Sequence, residues 1–412
     1  MIYLYKVIAF LIYFGAFVVG RGKAGKDALW AGRLNTDSLP SADIWLHAAS
    51  VGEVRVIGHL IDYLHDQAPA IRFHLTVMTR AGYKTATMIN GESTTVSYLP
   101  IDVPHLWARV LRQISPRIVV IAETEIWPNM LIALQSQGIP VVLVNGRLSE
   151  KAFGRYFALK ELFKPLLAGY DHLFVKAKED HGRFAQMGVL ESQMTLAGDM
   201  KFDAPLIEAG AEKRQATRRS LGVDDADFLL VAGSTREGEE KQLVEILLSL
   251  SGRFPRLRMV LVPRHIERAG EILEIIHQTG HAARLFEEQM DIPGNSIIVV
   301  DKMGILIDLY AAADIAFVGG TLADVGGHNL LEPVWAGTPV LFGPSVANVQ
   351  DAAEYILKHD FGTMTDSVDT LSATLEAILS GKRTFARKTR TDLAHSATAT
   401  AGNYILKRIR HA

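Results

Sequence analysis

Cysteine is absent from the 412 residues. That absence excludes disulfides, thiolate metal ligands, a cysteine nucleophile and a lipidated-cysteine anchor, and it fits a reducing compartment. A basic excess is also missing. Lys and Arg number 43 against 45 Asp and Glu, a formal charge of -2. With no long Lys/Arg run, nucleic acid is not an expected partner. No H-E-x-x-H or G-x-x-x-x-G-K-[ST] occurs, and G-x-S-x-G fails around Ser50 because position 48 is Ala. The 14 His show no ligand spacing. Asp225-Ala-Asp227 matches D-x-D but lies in a polar stretch and reads as a solvated turn. No metal and no cofactor is therefore expected. What is present is a 49% hydrophobic composition, enough for real cores and for two or three domains at about 150 residues each.

Residues 1–20, MIYLYKVIAFLIYFGAFVVG, carry Lys6 as their one charge. At about 1.5 Å per residue such a helix just spans a ~30 Å hydrocarbon core. The stretch is read as a membrane-anchor helix. Arg21, Lys23, Lys26 and Arg33 follow it, which places the body on the cytoplasmic side. A cleavable signal peptide is one rival, although its basic region should precede the apolar stretch. A helix lying in the membrane surface is another. The basic residues 21–33 either set topology or contact lipid phosphates.

Beyond residue 43 short apolar runs alternate with amphipathic ones. Strands are expected at 44–48, 73–78, 96–99, 118–122, 141–144 and 173–175, with helices between them, as at 54–65, 106–114 and 128–137. A polar segment, 206–227, reads as a linker. The alternation restarts with strands at 228–232, 259–262, 297–300, 315–318 and 340–342. The expected fold class is α/β: two doubly wound Rossmann-like domains facing a cleft, behind the N-terminal apolar membrane helix. The domains are 21–205 and 228–390, followed by a C-terminal helical segment, 391–412.

Ligands of open parallel sheets sit beyond the carboxyl ends of the strands. The first strand ends in His47-Ala-Ala-Ser50-Val-Gly52-Glu53. Glu53 opens a helix, where it either accepts a proton or merely complements the helix dipole. Ser50 suits a helix cap. Glu123 and Glu125, next to Trp127, are either polar substrate contacts or a helix cap and a solvated acid. Arg147 holds an anion or a local carboxylate. In the second half, Ser234 and Thr235 precede a helix start that either holds a phosphate or is an ordinary cap. Arg264, after Pro263, is a candidate phosphate fork. The richest constellation is Gly319-Gly320-Thr-Leu-Ala-Asp-Val-Gly326-Gly327-His328-Asn329-Leu-Leu-Glu332. Its glycines allow backbone amides to approach a phosphate, and Glu332 is placed for a pair of ribose hydroxyls. It is not G-x-G-x-x-G, which disfavours a dinucleotide.

Together these residues resemble the 3-deoxy-D-manno-octulosonic acid (Kdo) transferases of lipopolysaccharide biosynthesis. The resemblance rests on HAASVGE (47–53), ETEIWPN (123–129), NGRLS (145–149), GDMKFD (198–203), GSTREGEE (233–240), VPRH (262–265), DKMG (301–304) and GGTLADVGGHNLLEP (319–333). It implies the two-domain GT-B fold and a metal-independent, inverting transfer of Kdo. The donor would be CMP-Kdo and the acceptor a lipid A precursor (lipid IVA-like), at the cytoplasmic face of the inner membrane. Carried over residue by residue, Glu53 resembles the general base. Pro263, Arg264, Met303, Gly304, Ile305, Asn329, Leu330, Leu331 and Glu332 resemble the CMP site. Ser50, Glu123, Glu125, Arg147, Lys201, Ser234, Thr235, Gly327 and His328 are further substrate contacts by the same token. Two places depart from the family's pattern: Ile305 stands where an acid usually follows Met-Gly, and 343–349 lacks the usual aromatics. The alternatives are another GT-B transferase with a different nucleotide sugar, or a membrane-tethered two-domain binding protein.

Overall fold

The computed structural model describes residues 2–23, 28–34, 36, 38–89, 91, 93–203, 211–286, 297–389 and 396–410. The chain divides into two compact units, Met1–Ala204 with Thr391–Ala412, and Pro205–Arg390.

The first unit holds a seven-stranded parallel sheet in the order β3-β2-β1-β4-β5-β6-β7. Its strands are β1 Ile44–Ala48, β2 Phe73–Val77, β3 Thr94–Tyr98, β4 Ile118–Ala122, β5 Val141–Gly146, β6 His172–Val175 and β7 Met194–Leu196. Consecutive residues of a strand point to opposite faces, and both faces are covered. Ile44, Leu46 and Ala48 enter one core with Ile118, Val120 and Ala122. Trp45 enters the other with Val119 and Ile121. That double burial is why β1, β4 and β5 are nearly continuous apolar runs. Strand order reverses between β1 and β4, so their carboxyl ends frame the place where such sheets take ligands.

The helices of this unit are α1 Ile2–Lys23, α2 Ala28–Leu34, α3 Val51–Gln67, α4 Arg80–Ile89, α5 Pro104–Ile114, α6 Pro128–Ser136, α7 Glu150–Ala158, α8 Lys160–Ala168 and α9 Lys178–Gln186. The C-terminal helix, α17 Ala397–Arg410, belongs to it as well. Ala397, Ala401, Ile405 and Ile409 recur at four-residue spacing and join the core of α3. Tyr404 donates to Asp171 at 2.8 Å.

The apolar N-terminus, read as an anchor that either crosses the membrane or lies in its surface, forms α1. It is helical, but among the described residues no helix is long and apolar enough to cross a membrane. One side of α1 is committed to the body instead. The Tyr5 hydroxyl donates to Asp102 at 2.7 Å, Ala9 packs with Ile101, Val103 and Leu106, and the Tyr13 ring meets His105 edge-on. Val7, Ile8, Phe10, Leu11 and Phe14 are exposed. Lys26 lies outside the described residues, as do the side chains of Arg21 and Lys23. Arg33 is half-buried and donates to the Leu99 carbonyl at 3.2 Å.

The second unit repeats the architecture, in the order β10-β11-β9-β8-β12-β13-β14. Its strands are β8 Phe228–Thr235, β9 Leu257–Pro263, β10 Ala283–Leu285, β11 Ile297–Val299, β12 Ile315–Val318, β13 Val340–Phe342 and β14 Gly362–Met364. The helices are α10 Ala211–Ser220, α11 Glu239–Ser251, α12 Ala269–Gln278, α13 Leu306–Ala312, α14 Leu331–Trp335, α15 Gln350–Lys358 and α16 Val368–Leu379. Here the order reverses between β8 and β12.

The segment read as a linker, 206–227, is not a plain connection. Residues 206–210 lie outside the described residues, and α10 occupies the middle. Its Arg218, 3% exposed, donates to the carbonyls of Ala312, Asp224 and Asp227 and to the Asp314 carboxylate. Asp227, expected in a solvated turn, is buried and paired with Arg258 at 3.1 Å.

Candidate functional site

In the first unit, Ser50 ends the β1 connection as the N-cap of α3, its hydroxyl accepting from the Glu53 N–H at 3.3 Å. Glu53 is buried in the first turn. Its Oε2 accepts from the Ala49 N–H at 2.8 Å, while Oε1 has no hydrogen bond among the described residues. The carboxylate is thus oriented by backbone and one oxygen is left over. Across the switch point, β4 delivers Glu123 and Glu125. Glu123 has φ 52°, a left-handed conformation that costs a non-glycine residue about 1 kcal/mol or more and concentrates at functional sites. Asn145, at the end of β5, shares it with φ 52° and accepts from the Met200 N–H at 3.0 Å.

The electrostatics tie these acids together. Burial, reinforced by the charges of Glu53 and Glu123, pushes the Glu125 carboxyl up to about 7. Burial and Glu53 also raise Glu123, against the pull of Arg147. A carboxyl titrating near neutrality beside an oriented second carboxylate is suited to proton transfer. Arg147 is exposed, and its carbonyl accepts from the Thr124 hydroxyl. Lys201 is exposed, its N–H donating to Asp199. Asp199 pairs with Lys176 at 2.7 Å. His47 is no candidate for chemistry: it is fully buried, contacts Thr76 through Nδ1 at 3.0 Å, and burial pulls it down to about 4.

In the second unit the glycine-rich loop is organised differently from the expectation. The anion cradled by its amides belongs to the protein itself. Glu239, 1% exposed, accepts from the N–H groups of Arg236 and Gly320 through Oε2, both at 2.8 Å. Its Oε1 accepts from Thr321, Leu322 and Ala323 at 2.9–3.1 Å. The Gly326 N–H goes to Ser345 and the Gly327 N–H to the Gly320 carbonyl. Gly319 lets this loop close on β8, since a Cβ there would lie 2.5 Å from the Ser234 carbonyl oxygen and the Thr235 Cα. Amides 320–323, 326 and 327 are therefore spoken for, and phosphate binding by the glycine stretch itself is corrected. The N–H groups of His328, Asn329 and Leu330 make no hydrogen bond among the described residues.

The remaining candidates group around that loop. Arg236 donates from Nε to His328 and from Nη1 to His265, each at 3.0 Å. As an acceptor on Nε2, His328 carries its proton on Nδ1, and burial with the nearby Arg236 and Arg264 lowers its basicity. Asn329 donates to Glu332 at 3.1 Å, whose carboxyl is raised by burial. Arg264 is exposed, next to buried Pro263. Met303 is 79% exposed, Gly304 has φ 86°, and Ile305 stands at the cap position of α13 without a side-chain cap hydrogen bond. Leu330 and Leu331 are buried, so their side chains serve the core and leave only backbone for a ligand. Ser234 is left-handed with φ 56°, and Thr235 is buried.

Sequence reasoning missed Glu239, Arg236, His265, Lys176 and Asp199 as site components. The signal for the first was in plain sight: two acids, Glu239 and Glu240, open the helix after β8 in a chain rich in glycine amides one sheet position away.

A solved UDP-GlcNAc 2-epimerase from Neisseria meningitidis, bound to UDP-GlcNAc, covers 90% of this chain and 100% of its own, with TM-score 0.52 and 11% identity. The likeness is one of fold, and with the two parallel sheets it defines a two-domain, GT-B-like α/β protein. The family described as 3-deoxy-D-manno-octulosonic-acid transferase (kdotransferase) matches residues 26–204. The chain is 33% identical over 334 residues to the 3-deoxy-D-manno-octulosonic acid transferase of Chlamydia muridarum, covering 80% of this chain and 76% of that one. It is 32% identical over 343 residues to a bifunctional glycosyltransferase/methyltransferase of Fusobacterium nucleatum, of which it spans about half, 52%. The chain belongs to the Kdo transferase family, glycosyltransferases of lipopolysaccharide biosynthesis.

Proposed function

We propose that the chain transfers Kdo from CMP-Kdo to a sugar hydroxyl of a lipid A precursor, with inversion and without a metal. The observation that carries the reading is Glu53: buried, oriented by the Ala49 N–H, and leaving Oε1 for a substrate proton. The acceptor oxygen bonds to the anomeric carbon of Kdo as the bond from that carbon to the CMP phosphate breaks. The acceptor proton passes to Glu53. CMP departs as a dianion, and the developing charge falls to Arg264 and the N–H groups of residues 328–330, which stand in for a divalent cation. Glu332, held by Asn329, takes ribose hydroxyls. Ser234, Thr235, Met303, Gly304 and Ile305 complete the nucleotide side. Glu123 and Glu125 contact polar groups of the substrate, and Arg147 and Lys201 meet an anionic group of Kdo or of the acceptor.

The unit spanning 21–205 is then the acceptor side and 228–390 the donor side. Attachment to the cytoplasmic face of the inner membrane is through the exposed Val7, Ile8, Phe10, Leu11 and Phe14 of α1, a helix lying in the surface instead of crossing it. The test is Glu53→Ala. Transfer falls about 100-fold or more, the usual worth of a general base, while CMP binding is unchanged. Full activity in this variant removes the assignment.

A further inference from the structure

Helix α6 begins immediately after the loop that carries Glu123 and Glu125, yet its first turn lacks a local cap. Trp127, at the cap position, makes no side-chain cap hydrogen bond, and Pro128 follows. The orphan amides are satisfied from 27 residues away. Asp102 Oδ2 accepts from the Asn129 N–H at 3.0 Å and Oδ1 from the Met130 N–H at 2.8 Å. The same carboxylate accepts from the Trp107 indole at 2.7 Å and from the Tyr5 hydroxyl of α1 at 2.7 Å. The Asn129 side chain returns a bond to the Asp102 carbonyl at 2.7 Å. Asp102 is 4% exposed, so these donors take the place of water. A buried carboxylate that loses one of its donors is left partly unsatisfied and is no longer held in a single position under its remaining donors.

We propose that Asp102 is a positioning residue that makes the geometry of the 123–127 loop depend on the seating of α1. The Tyr5 hydroxyl fixes the carboxylate, the carboxylate fixes the first turn of α6, and that turn anchors the loop bearing the two acids. Detachment of α1 from the body would then loosen the acceptor side of the first unit. The consequence for transfer rests on the function proposed above; the structural coupling does not.

Two readouts on the full chain keep them apart. Tyr5→Phe deletes one hydroxyl and leaves the ring. Amide hydrogen exchange over 129–134 should rise about tenfold, the worth of one hydrogen bond to a charged group, while exchange within α3 stays as in the parent. Asp102→Asn should give a larger rise in the same segment. In the transfer assay Tyr5→Phe should raise the KM for the lipid acceptor and leave the KM for CMP-Kdo unchanged. Parent-like exchange over 129–134 in Tyr5→Phe overturns the coupling. An altered exchange with a parent protein inactive on lipid A precursor keeps the coupling and removes the function.

Discussion

Glu239 supports the glycine-rich loop of the second unit through five backbone N–H groups, and its removal has a calculable cost. In Glu239→Ala the Gly320 and Thr321 amides, both buried, lose the only acceptor they have among the described residues. Each such orphan costs about 1–3 kcal/mol. The Arg236, Leu322 and Ala323 amides are only partly buried and recover part of their loss from water. The two buried orphans alone come to about 2–6 kcal/mol, a large share of a domain stability of about 5–15 kcal/mol. Glu239→Gln is the finer probe. Its amide oxygen can keep the three donors now on Oε1, but its NH2 then faces the Arg236 and Gly320 N–H groups. The expected loss is about 2–3 kcal/mol. Denaturant unfolding gives the stability, and titration calorimetry with CMP gives the function. Both variants should bind CMP more weakly, because the loop leads directly into residues 328–332. A Glu239→Ala protein within about 1 kcal/mol of the parent, with unchanged CMP affinity, refutes the reasoning.

Gly319→Ala should destabilise by about 1–3 kcal/mol or more, because the added methyl meets backbone atoms at 2.5 Å. Gly270→Ala, where nothing lies within 4 Å, should be neutral or slightly stabilising, and thermal unfolding of the pair checks both. His47 and His74 are each lowered to about 4 by burial. A folded pKa below the unfolded value means that acid favours unfolding. Each ring should therefore cost the first unit about 2 kcal/mol between about pH 7 and about pH 5, with full stability above the unfolded pKa near 6.5. Imidazole NMR signals that titrate near 6.5 in the folded protein would contradict this.

The strands that frame both sites were legible because burial on two faces writes them as apolar runs. β1, β4, β12 and β13 lie where the sequence places them. β7, β10 and β14 did not register. Each has three residues at a sheet edge, where one neighbour and a partly wet face leave little pattern. α10 was hidden for another reason: it is held by Arg214 and Arg218 on Asp314, so it has no apolar stripe to read. Total hydropathy of the N-terminus could not separate the side of α1 that packs on Ile101, Val103 and Leu106 from the side left exposed. The glycine loop was legible as special, but an acid on another element already fills its amides. Asp102 had no local signature at all, since its partners lie 5, 27, 28 and 97 residues away.

The most direct test is transfer itself. The purified, detergent-solubilised chain is incubated with lipid A precursor and freshly generated CMP-Kdo, and the lipid is read by mass spectrometry. A mass gain of one or more Kdo units is the expected result. No gain beside an active control transferase, with product appearing from a different nucleotide sugar, contradicts the account.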